Sequence, residues 1–317
     1  MAASDSNLAL RSGELLRVAC PVCAGDGARV LPFRYAFHDR FLYGTRCTRC
    51  SLVFIHPQPS RAEIADLYKE EYFTEHSDTC GAHGPAAYME MAQESGAERA
   101  KAARRLDGRI LKHAGDRGRY LEVGCGPGFF LAAMRELGWT AEGLEISEYA
   151  ARYAMRELGL TVTQGAIERD RFPSASFKAI FLGDVLEHLP DPHESLCLLR
   201  DWLAPGGILV IAVPSTMNLV SAKLGMGLYK MRGTWKTLRI PPYHLFEYEP
   251  RSLRATLTVS GFTVLELRQS AVPLEKMGLR GSRVENAGKL SLQLVAHLTS
   301  RVFNDGGDRL TAVARKG

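Results

Sequence analysis

Three groups of residues in this 317-residue sequence have types and spacings that could do chemistry. The first is the run from Leu121 to Phe130, LEVGCGPGFF, in which a strand-like segment meets Gly124, Gly126 and Gly128 before a helical segment begins at Phe129. Glycines at such a junction permit a tight turn and let a ligand lie against the backbone, beside the positive end of a helix dipole. A turn of this kind also serves plain helix packing, and its GxGxG spacing differs from the GxGxxG of nicotinamide-dinucleotide sites. Gly143-Leu-Glu145 adds a carboxylate at the end of the next strand, where it can accept hydrogen bonds from both ribose hydroxyls of a nucleoside.

The second group is Cys20-Pro-Val-Cys23 and Cys47-Thr-Arg-Cys50, two CxxC pairs separated by 23 residues. Four thiolates suit the soft, tetrahedral preference of zinc, and a site closed by four sulfurs is structural because no position stays open for water or substrate. A redox dithiol fits less well, since neither pair lies in a thioredoxin-like strand-helix pattern. The third group is His188, in DVLEHLPDP, and His244, in IPPYHLFEYEP. Histidine is the side chain best suited to accept a proton near neutral pH, so both are candidate catalytic bases. The preferred reading of His188 is a helix-start residue satisfied by backbone, whereas His244 reads equally as catalytic or structural, and Tyr243 and Tyr248 could orient a substrate beside it.

The elements that must position these groups follow from periodicity. Strands are expected at Arg119 to Val123, Ala141 to Ile146, Leu160 to Thr163, Ala179 to Leu182 and Gly207 to Val213, alternating with helices at Phe129 to Leu137, Ser147 to Leu158 and Pro192 to Trp202. Repeated strand-helix units of this length predict an α/β fold with a parallel sheet covered by helices on both faces. A helix from Pro250 to Ser260 and strands at Phe262 to Leu267 and Asp308 to Arg315 complete it. Ahead of it, the cysteine module runs into a strand at Leu52 to Ile55 and a helix at Arg61 to Tyr72. A loop from Glu75 to Pro85 and a helix from about Ala86 to His113 follow. The expected division is therefore a cysteine module with its connecting helix over 1–80 and an α/β domain over 86–317, with a candidate lid at 216–245.

LEVGCGPG, the GLEIS segment at Glu145, FPSASFKAIFLGDVLEHLPDP and LAPGGILVIAVPS, taken in order, resemble the class I S-adenosylmethionine-dependent methyltransferases. The resemblance implies a Rossmann-like seven-stranded sheet and S-adenosylmethionine as cofactor. Glu122, Gly124, Gly126 and Gly128 would then wrap the methionine part, Glu145 would hold the ribose, Ile146 would cover the adenine and Asp184 would sit at the methionine end. Ala166 stands where many relatives carry an Asp that reads the adenine, so backbone groups of Ala166 and Ile167 would take that role. Lys178 replaces a usual acid at a strand start. The cysteine module, with Tyr72-Phe73, is similar to the zinc-ribbon leader of a bacterial branch of these enzymes, which implies structural zinc on Cys20, Cys23, Cys47 and Cys50.

The net charge of +5 is scattered, which argues against a nucleic-acid partner. No apolar run is long enough to span a bilayer, no export signal is recognisable and the cysteines do not form a secreted disulfide pattern, so a soluble cytoplasmic protein is expected. Residues 218–239 carry Met226, Tyr229, Met231 and Trp235 among Lys223, Lys230, Arg232 and Lys236. They read as a lid, as an amphipathic helix packed on the sheet, or as a surface element touching membrane lipids, with peripheral membrane contact left open. The expected activity is methyl transfer to a small-molecule acceptor, a hydroxyl of a sugar, lipid-linked or secondary-metabolite substrate. The competing readings are an RNA methyltransferase gripping its substrate with the zinc module, and a non-catalytic cofactor-binding interaction protein. The sequence leaves the oligomeric state undetermined.

Overall fold

The computed structural model describes residues 10–67 and 96–271, together with 290–291, 294–300, 302, 304 and 306–317. The expected loop at Glu75 to Pro85, Tyr72-Phe73 and the first part of the Ala86 to His113 helix lie outside the described residues. In chain order the elements are β1 (Leu15–Leu16), β2 (Ala28–Phe37), β3 (Arg40–Cys47), β4 (Val53–His56), α1 (Arg61–Asp66), α2 (Gly96–Ala114) and β5 (Arg119–Val123). Next come α3 (Phe129–Glu136), β6 (Thr140–Glu145), α4 (Glu148–Glu157), β7 (Thr161–Gln164), β8 (Phe177–Gly183), α5 (Pro192–Trp202) and β9 (Leu203–Pro214). The series ends with α6 (Val220–Met231), β10 (Lys236–Leu238), β11 (Phe246–Glu247), α7 (Pro250–Val259), β12 (Phe262–Ser270) and β13 (Arg309–Lys316). The chain groups into two compact units: Met1–Gln58, Ala212–Thr256 and Glu266–Ala312 in the first, and Pro59–Ile211, Leu257–Leu265 and Val313–Gly317 in the second.

The first unit is built on a six-stranded sheet of order β1-β2-β3-β4-β11, with β10 also on β2. Alternation of Val30, Phe33, Tyr35 and Phe37 with more exposed residues makes β2 a strand with one face inward. It turns at His38-Asp39 into β3, pairing Phe37 with Arg40, and His38 takes the positive φ of 51° that a two-residue hairpin loop requires. Short pieces far along the sequence then complete the sheet: β10 runs parallel to β2 and β11 antiparallel to β4. The candidate lid at 216–245 thus contributes β10 to this sheet, with β11 directly after it, which its apolar-basic composition did not suggest. Arg46 on β3 donates both arms of its guanidinium to Glu249, at 3.0 and 2.8 Å.

The second sheet has the order β12-β13-β9-β8-β5-β6-β7. Strands β5, β6, β7 and β8 run parallel, as the alternating strand-helix pattern predicts. The chain reverses its direction of strand placement at β5, and the last strand slots between β12 and β9. Helices α3 and α4 pack on β6, and α2 on α3 and β8. One core joins Ile110 of α2, Tyr120 of β5, Leu131 and Met134 of α3, Trp139, and Ile208 and Val210 of β9. At its edge Asp107 of α2 accepts hydrogen bonds from the Trp139 indole N–H at 2.9 Å and from both arms of Arg117, at 3.0 and 2.7 Å.

That carboxylate fastens α2 to the entry of β5. In Asp107→Ala the buried indole N–H loses its partner, and we expect about 1–3 kcal/mol of destabilisation in urea unfolding; Asp107→Asn, which keeps an acceptor, should lose less. Equal loss in both variants would mean that charge, not the hydrogen bond, does the holding.

Candidate functional site

Register decides where the glycine turn meets its neighbours. Val123 at the end of β5 pairs with Leu144 of β6 and with Leu182 of β8, and Glu145 pairs with Gln164 of β7. Gly124, Glu145, Gly165 and Asp184 therefore leave the sheet together at the carboxyl edge, beside the point where strand order reverses, the place where open α/β sheets bind ligands. The turn itself depends on left-handed backbone: φ is 67° at Gly124, 53° at Gly126 and 84° at Gly128. A Cβ on Gly124 would lie 2.5 Å from Val185 Cγ2, and one on Gly128 2.5 Å from Leu160 Cδ1, so neither position has room for a side chain.

Two buried carboxylates lie under this turn. The Gly126 N–H donates to Glu145 Oε2 and the Ser147 N–H to Oε1, both at 2.8 Å. Burial pushes the Glu145 carboxyl above its ordinary range, while hydrogen bonds from the Ser147, Gly126 and Ile146 N–H groups pull it back. Glu122 is pushed well up, first by burial and then by the charge on Glu145, and its Oε2 has no hydrogen-bond partner among the described residues. A buried acceptor without a donor beside a glycine cradle suits a ligand that brings a cationic or N–H group.

The other residues expected at this site surround it unevenly. Ile146 is 53% exposed, held by a hydrogen bond from Gln164 Nε2 to its carbonyl at 3.2 Å. Ala166 is exposed and Ile167 half-buried on the segment after β7, and Asp184 is exposed at a φ of 55°. Lys178 forms an ion pair with Asp116, so the acid missing from the β8 start is answered by one from the α2-β5 connection. His188 closes a single helical turn after β8, its Nε2 3.8 Å from Glu187 Oε1. In the first unit, His244 Nδ1 lies 3.7 Å from Glu247 Oε1, and Glu247 Oε2 accepts from Thr216 Oγ1 at 2.9 Å. Sequence reasoning missed Ser147, Gln164, Glu187 and Glu247. Only Ser147 carried a signal, as a helix N-cap directly after Glu145.

The four cysteines of the first unit converge. All their sulfurs lie within 4.8 Å of one another, with Cys20 to Cys50 at 3.7 Å and Cys23 to Cys47 at 3.6 Å. The two CxxC turns repeat one pattern: the Cys20 N–H donates to the Gly25 carbonyl and the Ala24 N–H to Cys20, as the Cys47 N–H donates to Leu52 and the Ser51 N–H to Cys47. Ala24 and Ser51, each just past its pair, both take positive φ, 52° and 67°. A tetrahedron of sulfurs at the usual zinc distance has edges of about 3.8 Å, so the donor set fits that ion.

A family model described as a methyltransferase domain matches residues 96–267, more than half of the chain. The ubiquinone biosynthesis O-methyltransferase of Thiobacillus denitrificans is 32% identical over 106 residues, covering 32% of this chain and 44% of that protein. The enzyme of the same name from Dinoroseobacter shibae is 27% identical over 166 residues, covering 51% of this chain and 62% of its own. The chain thus spans less than two thirds of the curated relatives it matches. Among solved structures, a SAM-dependent methyltransferase from Archaeoglobus fulgidus aligns with a TM-score of 0.47 and 21% identity, covering 69% of this chain and 94% of that one.

A carboxyl raised in the folded state binds its proton more tightly there than in the unfolded chain. Its contribution to stability is therefore full below the ordinary carboxylate pKa and is lost as pH rises toward the folded one. Glu122→Gln removes the larger of these two penalties. We expect its melting temperature, without ligand, to fall less than that of the native chain between about pH 5 and about pH 8; parallel curves would show that Glu122 is not raised.

Proposed function

We propose, for a chain that belongs to the methyltransferase family, that it transfers a methyl group from S-adenosylmethionine to a hydroxyl of a small-molecule acceptor. The observation that carries this reading is the glycine cradle over paired buried carboxylates at the carboxyl edge of β5 and β6. When bound, S-adenosylmethionine supplies a methyl on a positively charged sulfonium. Glu122 would accept from the ammonium of its methionine part, which relieves the unpartnered Oε2, and the backbone at Gly124, Gly126 and Gly128 would follow the chain of that part closely. Glu145 would exchange its N–H partners for ribose hydroxyls, Ile146 would cover the adenine and backbone groups at Ala166 and Ile167 would meet its edge. Asp184 adds negative charge at the methionine end.

The relatives' name supports oxygen as the accepting atom, and a hydroxyl needs a base. His188, beside Glu187 in the unit of the glycine turn, and His244, beside Glu247 in the first unit, are the two candidate bases. In-line displacement needs little beyond holding the acceptor against the methyl in a site without water. Zinc on Cys20, Cys23, Cys47 and Cys50 would be structural, since all four positions around the ion are filled by sulfur.

Calorimetry tests the cofactor reading. Glu145→Ala should weaken S-adenosylmethionine binding by about 1.5–3 kcal/mol, the worth of charge-assisted hydrogen bonds, and undiminished affinity would refute the site. A screen with methyl-labelled S-adenosylmethionine against phenolic metabolites, quinone precursors, envelope sugars and total RNA tests the acceptor; label in RNA alone would overturn the small-molecule reading. Cys47→Ser should yield protein without bound zinc in metal analysis, and a full complement of zinc would place the ion elsewhere.

A further inference from the structure

Between Asp201 and Glu247 the sequence holds no acidic residue, and its five charged side chains are all basic: Lys223, Lys230, Arg232, Lys236 and Arg239. Three of these flank an apolar strip on α6. Leu224, Leu228 and Met231 are 61%, 47% and 78% exposed, and their spacing of four and three residues sets them within about 100° of the helix circumference. Lys230 and Lys223, the latter donating from Nζ to Asn218 Oδ1 at 2.8 Å, lie along one edge of the strip, and exposed Arg232 along the other. Ala222, Gly225 and Met226, on the remaining face, are less exposed, and α6 packs against β2 of its own unit. A helix that packs by one side ordinarily turns polar residues outward; this one turns leucine and methionine outward and rims them with cations.

We propose that α6 is an interfacial helix that docks the first unit on an anionic lipid surface. Leu224, Leu228 and Met231 would enter the acyl boundary. The Lys and Arg stems would lie along it with their charges at the headgroup level, as such side chains do at interfaces. The charge pattern selects this occupant over a second copy of the chain. A two-fold contact through the strip would set the basic rim of one copy against that of the other with no acid in the segment to offset it. No helix among the described residues is long and apolar enough to cross a membrane, so contact through α6 would be peripheral. Nothing in this proposal depends on methyl transfer.

Flotation of the full chain with phosphatidylcholine vesicles, with and without about 30% phosphatidylglycerol, tests it. The protein should float with the anionic vesicles alone, and less so as salt is raised. Leu224→Ser/Leu228→Ser/Met231→Ser should lower the bound fraction about tenfold or more by removing the inserted surface. Lys223→Glu/Lys230→Glu/Arg232→Glu should abolish binding, since each cation near the surface contributes about fivefold. Native circular dichroism in both variants would show the fold intact; if the serine variant misfolds, the charge reversal decides. The proposal is overturned if the native chain stays with the pellet at low salt, if a folded variant floats as the native chain does, or if light scattering shows a dimer that the serine variant splits. Failure of the methyltransferase reading would leave the vesicle result standing, because flotation is read without cofactor.

Discussion

Glu122 and Glu145 are buried close enough that the charge on one raises the cost of ionising the other, and the second unit arranges its backbone around that cost. Glu145 is compensated in place, by N–H groups at the end of the glycine turn and the start of α4. Those donors are available because Gly126 sits in the left-handed region and because Ser147 begins a helix whose first N–H groups have no partner within it. Glu122 lacks that full compensation, with one oxygen unpartnered among the described residues. Packing does not supply the missing donor, since Val185 and Leu160 fill the space that side chains at Gly124 and Gly128 would take. Burial left uncompensated at a glycine turn is one way for a fold to reserve free energy for a ligand.

Much of this was legible from the sequence because the relevant signals are local. A five-residue strand, three glycines and a helix announce the β5 turn, and the N-cap Ser147 marks where β6 must end. Element boundaries also followed where an apolar strand is bounded by Gly or Pro; β8 is longer than expected at Lys178, and β9 reaches back to Leu203 past a turn at Gly206, whose φ is 71°. What stayed hidden was long-range. Strands β10 and β11 are three and two residues long, too short to carry a period, and they exist because β2 and β4 offer unpaired edges. The β2-β3 turn lacks the usual Asn-Gly or Asp-Gly signal, with His38 in the left-handed position. The pairing of Lys178 with Asp116 joins residues 62 apart, so a lost acid at one position could not be matched to its replacement by inspection.

The placement of the four cysteines explains why a sheet with such short outer strands holds its shape. Cys23 precedes β2, Cys47 ends β3 and Cys50 precedes β4, and Ala28 pairs with Cys47 across the hairpin. The sulfurs thus gather at the end of the hairpin opposite the His38-Asp39 turn, where three strands would otherwise fray. At the turn end, the chain itself closes β2 to β3; at the cysteine end, two matching turns with left-handed Ala24 and Ser51 bring the thiols into one cluster. Between the two ends lies an ordinary apolar core of Leu42, Leu52, Phe54 and Phe246, all buried. Since that core includes Phe246 from β11, residues more than 180 positions away in the sequence share the interior that the cysteine cluster bounds. Fastening the cysteine end therefore constrains β11 through β4, and with it the segment carrying His244 and Glu247, whose geometry depends on where β11 begins.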